Sequence, residues 1–165
     1  MDREIDRTLL KKAGALLARR AYSRLELQKK LTAIGEEQQV ESVLNHLEQL
    51  KLLNDAEYAY NFAFRRIRQQ GWSPEKVRSA LLQHHVEQTS IESALQQVRN
   101  ESDDASILLE YVKRHCGKKG PPTDLKGVQR LIGQLRHRGF EEETILGALG
   151  EILPQEFMRR LESGD

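Results

Sequence analysis

Five histidines, one cysteine and a lysine-bearing glycine turn are the first candidates for catalysis or metal binding in these 165 residues. His84 and His85 are adjacent, so on a helix their side chains diverge by about 100° and cannot converge on one ion. His115-Cys116 has no further ligands at metal-site spacing. Cys116 is flanked by Arg114, Lys118 and Lys119, which would lower a thiol pKa, but it reads first as an incidental thiol. Gly117 to Gly120 encloses two lysines without the preceding strand that a phosphate-binding loop requires. Glu141-Glu142-Glu143 precedes an apolar run and reads as the acidic start of a helix. No catalytic residue, cofactor or metal is expected, and the chain reads as a non-enzyme.

The remaining chemistry is that of lysine and arginine. The net charge of +1 conceals their distribution. Residues 1–34 carry +5, 35–60 carry −5, 61–85 carry +4, 86–110 carry −5, 111–140 carry +7 and 141–165 carry −5. Basic and acidic blocks alternate three times. A basic stripe is the electrostatic footprint of a polyanion partner, although the blocks also have the arrangement needed to neutralise one another within a fold.

The elements that must position these charges are helices. Long runs of Leu, Ala, Gln, Glu, Lys and Arg favour helix, and few Val, Ile or Thr runs occur to build a sheet. The single cysteine forms no internal disulfide, which fits a reducing compartment. No apolar run reaches the roughly 18 residues of a membrane span, and the charged N-terminus lacks a signal-peptide core. The expectation is a soluble cytoplasmic chain with no membrane partner.

The helices repeat. Tyr22-Ser23 and Trp72-Ser73 lie 50 residues apart, each an aromatic followed by a helix cap. Leu27 with Leu31 then matches Val77 with Leu81. Val40-Glu41-Ser42-Val43-Leu44 matches Ile91-Glu92-Ser93-Ala94-Leu95 at an offset of 51. Leu131, Leu135, Ile145 and Leu149 form a third copy, 54 residues after Val77, Leu81, Ile91 and Leu95. Each copy reads as three helices.

In the first copy Ile5, Leu9, Ala13, Leu16 and Leu17 make an apolar stripe. Ser23 and Glu26 form a capping-box pattern, Gly35 ends the second helix, and Val40, Val43, Leu44, Leu47 and Leu50 make the third stripe. Asn54-Asp55 caps the second copy, whose first helix runs to the Gly71-Trp72-Ser73-Pro74 turn. Within it Tyr58, Tyr60, Phe62 and Phe64 alternate as a strand would; the interleaved alanines and the flanking cap and glycine favour helix. The third copy starts near Ser102-Asp103 and breaks at Gly117–Pro122. The expected organisation is three repeats, 1–53, 54–101 and 102–153, with a C-terminal tail over 154–165. Units of this size bury little surface alone, so they are expected to stack into an elongated, curved, all-α rod. The first two helices of each unit are basic and the third acidic, giving the rod a basic and an acidic side.

The stretch Leu16-Leu17-Ala18-Arg19-Arg20-Ala21-Tyr22-Ser23-Arg24-Leu25-Glu26-Leu27 resembles the opening motif of the RecX family. Leu52-Leu53-Asn54-Asp55-Ala56-Glu57-Tyr58-Ala59, and the Gly71-Trp72-Ser73 turn with Val77 and Leu81, resemble the same family's second unit. The third unit matches in layout more than in residues, and Gly35 lacks the apolar residue that often follows it there. The resemblance implies tandem three-helix repeats seated in the groove of the RecA–DNA filament. It also implies inhibition of recombinase and ATPase activity, and a place in homologous recombination, DNA repair and the SOS response. RecA and single-stranded DNA, and also double-stranded DNA, are the implied partners of a monomer.

Leu27, Leu31, Leu53 and Tyr58 read as core and Asp55 as a cap. The contact candidates are Arg19, Arg20, Arg24, Arg65, Arg66, Arg68, Lys76, Arg78, Lys113, Arg114, Arg130 and Arg136. Trp72 reads as a packing residue beside a helix cap, with base stacking as the alternative. A helix-turn-helix DNA binder and a protein-interaction scaffold are the competing functional classes; the former would concentrate its base-reading side chains on one helix.

Overall fold

The structure, a computed structural model, describes residues 5–100 and 102–163; the opening four residues of the charged N-terminal stretch and the repeat boundary expected at 101 lie outside them. The described residues are all-α. Helices α1 (Arg7–Leu17), α2 (Arg24–Leu31) and α3 (Glu37–Gln49) form the first repeat. In the second, α4 (Asp55–Phe64) continues into a π-helical turn (Arg65–Gln69), followed by α5 (Pro74–Gln83) and α6 (Gln88–Arg99). In the third come α7 (Asp104–Lys119), α8 (Leu125–His137) and α9 (Glu142–Gly150). The stretch expected as a tail contains α10 (Gln155–Ser163).

The caps follow from side chains that compete well for free backbone N–H groups. Asp6 Oδ1 accepts from the N–H groups of Thr8 and Leu9 at 2.8 and 2.9 Å. Ser23 and Glu26 close a reciprocal box, with Glu26 N–H donating to Ser23 Oγ (3.3 Å) and Ser23 N–H to Glu26 Oε2 (3.2 Å). Asn54, not Asp55, caps α4 by accepting from Glu57 N–H at 3.1 Å. Ser73 caps α5 and Asp103 caps α7. Pro74 occupies the first helical position, where its missing N–H costs nothing.

The chain divides into two compact units, Met1–Phe62 with Ser79–Ala94 and Ala63–Arg78 with Leu95–Asp165. In the first, α1, α2 and α3 pack on one another around Leu9, Ala13, Leu27, Leu31, Val40, Val43, Leu44 and Leu47. In the second, α7 packs on α9 and on the π turn, and α10 covers parts of α8 and α9. The aligned positions of the three repeats are uniformly buried: Leu27, Val77 and Leu131; Leu31, Leu81 and Leu135; Val40, Ile91 and Ile145; Leu44, Leu95 and Leu149. The offsets therefore mark true structural equivalence.

Three details differ from the pattern, at Leu50, Gly117 and Tyr58. Leu50, the last residue of the α3 stripe, is exposed, because Lys51 turns left-handed (φ 57°) and ends the helix. Gly117 lies inside α7, which runs on to the left-handed Gly120 (φ 80°). The alternating aromatics are helical; Tyr58 and Phe62 stack half-buried with centroids 6.3 Å apart, while Tyr60 and Phe64 lie exposed. Tyr58 is thus only partly in the core.

Two buried serines join successive repeats in equivalent ways. Ser23 Oγ donates to the carbonyl of His84 at 2.5 Å, within the first unit. Ser73 N–H donates to the carbonyl of Arg138 at 2.9 Å, within the second. His84 and Arg138 are 54 residues apart, the same offset as the core positions. Each precedes a left-handed residue, His85 (φ 59°) and Gly139 (φ 92°). A side chain at Gly139 would lie 2.5 Å from Ser73 Oγ, so glycine permits the approach.

Candidate nucleic-acid interface

Arg65, Arg66 and Arg68 leave the chain on the π-helical turn. In that turn Gln70 N–H reaches back five residues to Arg65 O (3.1 Å), and Trp72 N–H reaches Arg66 O (2.9 Å). The wider turn sends consecutive arginines in directions an α-helix would not, and such π-bulges recur at functional sites. Arg65 projects into solvent. Arg66 lies over the Trp72 ring, 4.3 Å from its centroid, steadied by a 2.5 Å hydrogen bond to Gln70 Oε1. Lys76, in the first turn of α5, places its Nζ 4.5 Å from the same centroid. It also donates to the carbonyl of His137. Trp72 is half-buried, and cation–π attraction of this kind contributes roughly 0.5–2 kcal/mol.

The equivalent position in the first repeat has a related construction. Tyr22 lies beneath the Arg20 guanidinium at 3.7 Å, with Lys30 at 6.0 Å. Tyr22, however, is buried, at 8% exposure. Arg20 also pairs with Glu26 Oε2 at 3.3 Å. In the second unit Tyr111 has Arg138 at 5.1 Å and Arg114 at 5.9 Å. It seals the turn at Gly71 (φ 66°), where an added Cβ would lie 2.2 Å from the ring.

The remaining cations sort by what they touch. Arg24 binds Glu41 (2.6 Å), Glu48 (3.2 Å) and Asn45 (2.8 Å), tying α2 to α3. Arg68 donates to the carbonyls of Val98 and Arg99 at the end of α6 and to Glu110 of α7. Both guanidinium groups are committed to their own chain. Arg114 Nη2 donates to Arg68 O at 2.5 Å. Arg78 pairs with Glu75 within α5, and Arg136 with Glu142 at 2.6 Å. Arg19, Arg65, Lys113 and Arg130 are exposed, and among the described residues no carboxylate pairs with them. Arg138, outside the expected set of cations, donates to Gln70 O at 3.1 Å and shields Tyr111. Its equivalence to His84 was the available signal.

The groups considered for catalysis do not converge. His84 Nδ1 lies 3.0 Å from Glu26 Oε1, its ring against Phe62 and Tyr58, at the joint between the first two repeats. Burial pushes the Glu26 carboxyl up, but the hydrogen bonds from His84, Arg20 and Ser23 N–H outweigh it and hold the group below the usual glutamate range. Asp55 moves the other way; burial raises it despite the 2.7 Å hydrogen bond from Arg24 N–H. Cys116 is buried, and burial pushes its thiol up, opposite to what its basic neighbours in sequence suggest. Among the described residues no group of three or more His, Cys, Asp or Glu is placed to hold a metal ion. No described helix is long and apolar enough to cross a membrane.

Residues 54–95 match the second three-helix domain of RecX. The chain is 31% identical over 141 residues to a regulatory protein RecX of Stenotrophomonas maltophilia, covering 85% of this chain and 84% of that one. It is 37% identical over 125 residues to a regulatory protein RecX of Thermus thermophilus, covering 76% and 78%. Among solved structures, RecX from Lactobacillus salivarius superposes with a TM-score of 0.66 over 88% of this chain and 94% of that one, at 16% identity. A second structure of regulatory protein RecX gives 0.60 over 83% and 68%, at 22% identity. These two likenesses bear on the fold. The sequence relatives are named as regulatory proteins, not as enzymes.

Proposed function

Because the chain belongs to the RecX family of regulatory proteins, we propose that it regulates recombination by binding the RecA–DNA filament and restraining its ATPase and strand exchange. The family membership carries this reading. The exposed Arg19, Arg65, Lys113 and Arg130, without carboxylate partners among the described residues, support a polyanion at the interface. Arg20, Arg66 and Lys76, on their aromatic rings, would add to it. Single-stranded DNA within the filament is the primary polyanion, with duplex DNA bound through the same cations. Arg24 and Arg68 serve instead to hold helices together. The protein acts as a monomer, without cofactor or metal.

The test is the DNA-dependent ATPase of RecA titrated with this protein at several salt concentrations. The expected result is inhibition that weakens with salt. Charge reversal at Arg65 and Arg130 should reduce inhibition and flatten the log–log salt slope by roughly 0.7–0.9 for each phosphate no longer neutralised. Helicity should be unchanged, since exposed charges contribute little to stability. An ATPase indifferent to the protein, with no association detected by co-sedimentation with the filament, would refute the proposal.

A further inference from the structure

We infer that Trp72, with Arg66 and Lys76, is a stacking site for an unpaired base of single-stranded nucleic acid. The inference rests on the DNA-binding part of the function proposed above and gives that binding a chemical form. Three observations carry it. The first is exposure. Tyr22 occupies the equivalent position, one residue before a cap serine, and is buried as a packing residue should be. Trp72 is larger and remains half-buried, more accessible than the packing role of Tyr22 requires.

The second observation is the charge around the ring. Arg66 and Lys76 both lie within 4.5 Å of its centroid, and they come from two different elements, the π turn and α5. An aromatic ring flanked by cations is a surface on which single-stranded nucleic acids stack their bases, with the cations adding charge beside the ring. Lys76 supplies a compact charge suited to the phosphate beside that base.

The third observation is the π turn itself. It fixes Arg66 above the ring through two bonds independent of any ligand, Trp72 N–H to Arg66 O and Arg66 Nη1 to Gln70 Oε1. Arg65, the next residue back, is exposed and able to engage an adjoining phosphate. A backbone irregularity that places one arginine over a ring and its neighbour in solvent is more than core packing requires. Every base has a π face, so the site tolerates any sequence and disfavours duplexes, whose bases are already stacked.

Trp72 is the only tryptophan of the chain, so its emission reads the site directly. The unaltered full-length protein is titrated with an oligothymidylate, with an abasic oligomer of equal length and charge, and with a duplex. The expected result is quenching by the oligothymidylate and little by the other two. Replacing Trp72 by Leu should weaken oligothymidylate binding roughly ten-fold or more, while Trp72→Phe retains most of it and guards against loss of fold in the leucine variant. Both variants are followed by fluorescence anisotropy of labelled DNA. Equal quenching by the abasic oligomer, or unchanged affinity in a folded Trp72→Leu protein, overturns the stack. Inhibition of the RecA ATPase that survives either outcome leaves the broader function standing. Failure of the unaltered protein to inhibit that ATPase would remove the broader function independently.

Discussion

Replacing Arg68 by alanine is the clearest test of whether the arginines of the π turn build the molecule or face its partner. The Arg68 side chain is 23% exposed and spans from the π turn to α6 and α7. Its Nε and Nη2 lie 3.1 and 2.9 Å from Val98 O, and Nη2 lies 3.1 Å from Arg99 O. These carbonyls are at the end of α6, where no intrahelical N–H remains for them and the helix dipole favours a cation. A hydrogen bond with one charged partner contributes roughly 1.5–3 kcal/mol. The pair with Glu110 at 3.0 Å adds at most about 1 kcal/mol, because that carboxylate is 59% exposed.

Ser102 N–H still donates to Arg99 O at 2.9 Å and water recovers part of the loss at Val98 O, so Arg68→Ala should cost about 2–4 kcal/mol, or on the order of 10 °C in melting temperature. Arg68→Lys keeps the charge but not the fork that reaches two carbonyls, and should recover less than half of this. Urea denaturation followed by circular dichroism and by Trp72 emission measures both; Trp72 lies in the same compact unit as Arg68. An alanine variant within about 0.5 kcal/mol of the unaltered protein would refute the assignment. So would one of undiminished stability that bound DNA as poorly as an Arg65 variant.

Two further outcomes follow from the joints between repeats. Ser23→Ala and Ser73→Ala should each destabilise by about 0.5–2 kcal/mol. Ser23 should be the costlier, since its hydroxyl also donates to His84 O whereas at Ser73 the backbone makes the equivalent bond; equal melting temperatures for the two variants would contradict the geometry. The folded-state carboxyl of Glu26 is held low, so its contribution is present at neutral pH and disappears as pH falls through the glutamate range. The stability gap between the protein and Glu26→Gln should therefore be open at neutral pH and close in acid below the glutamate range, and a gap constant with pH would count against the His84 and Arg20 hydrogen bonds.

The core was legible because it is repetitive. Leucine, isoleucine and valine at fixed offsets cannot all occupy equivalent buried positions by accident, and the caps at Ser23, Asn54, Ser73 and Asp103 announce themselves through short-range chemistry. Longer-range chemistry was not legible. Nothing local marks Arg24 and Arg68 as structural, because their partners lie 17 to 42 residues away in sequence. The π turn carries no residue signature, so the approach of Arg66 to Trp72 could not be anticipated, whereas Lys76 at i+4 could. Cys116 misleads in the same way: its cationic neighbours in sequence do not offset the burial that raises its pKa. The helix after Pro154 was legible in principle, since Phe157, Met158 and Leu161 have helical spacing and are partly buried, but so short a stripe at a chain end reads equally as a tail.

The paired serine joints bear on how such a chain changes length over evolution. Each joint asks little of the two repeats it connects: a serine at the start of one second helix, and a carbonyl just before a left-handed residue at the end of the next. His85 fills that last position in one joint, whereas in the other the close approach of Ser73 Oγ leaves room only for Gly139. A duplicated segment of about 50 residues would arrive with both halves of the connection already present. Gene duplication can therefore lengthen or shorten the array in whole repeats with this connection kept, while side-chain contacts particular to one joint, such as Tyr111 on Gly71, would have to be rebuilt.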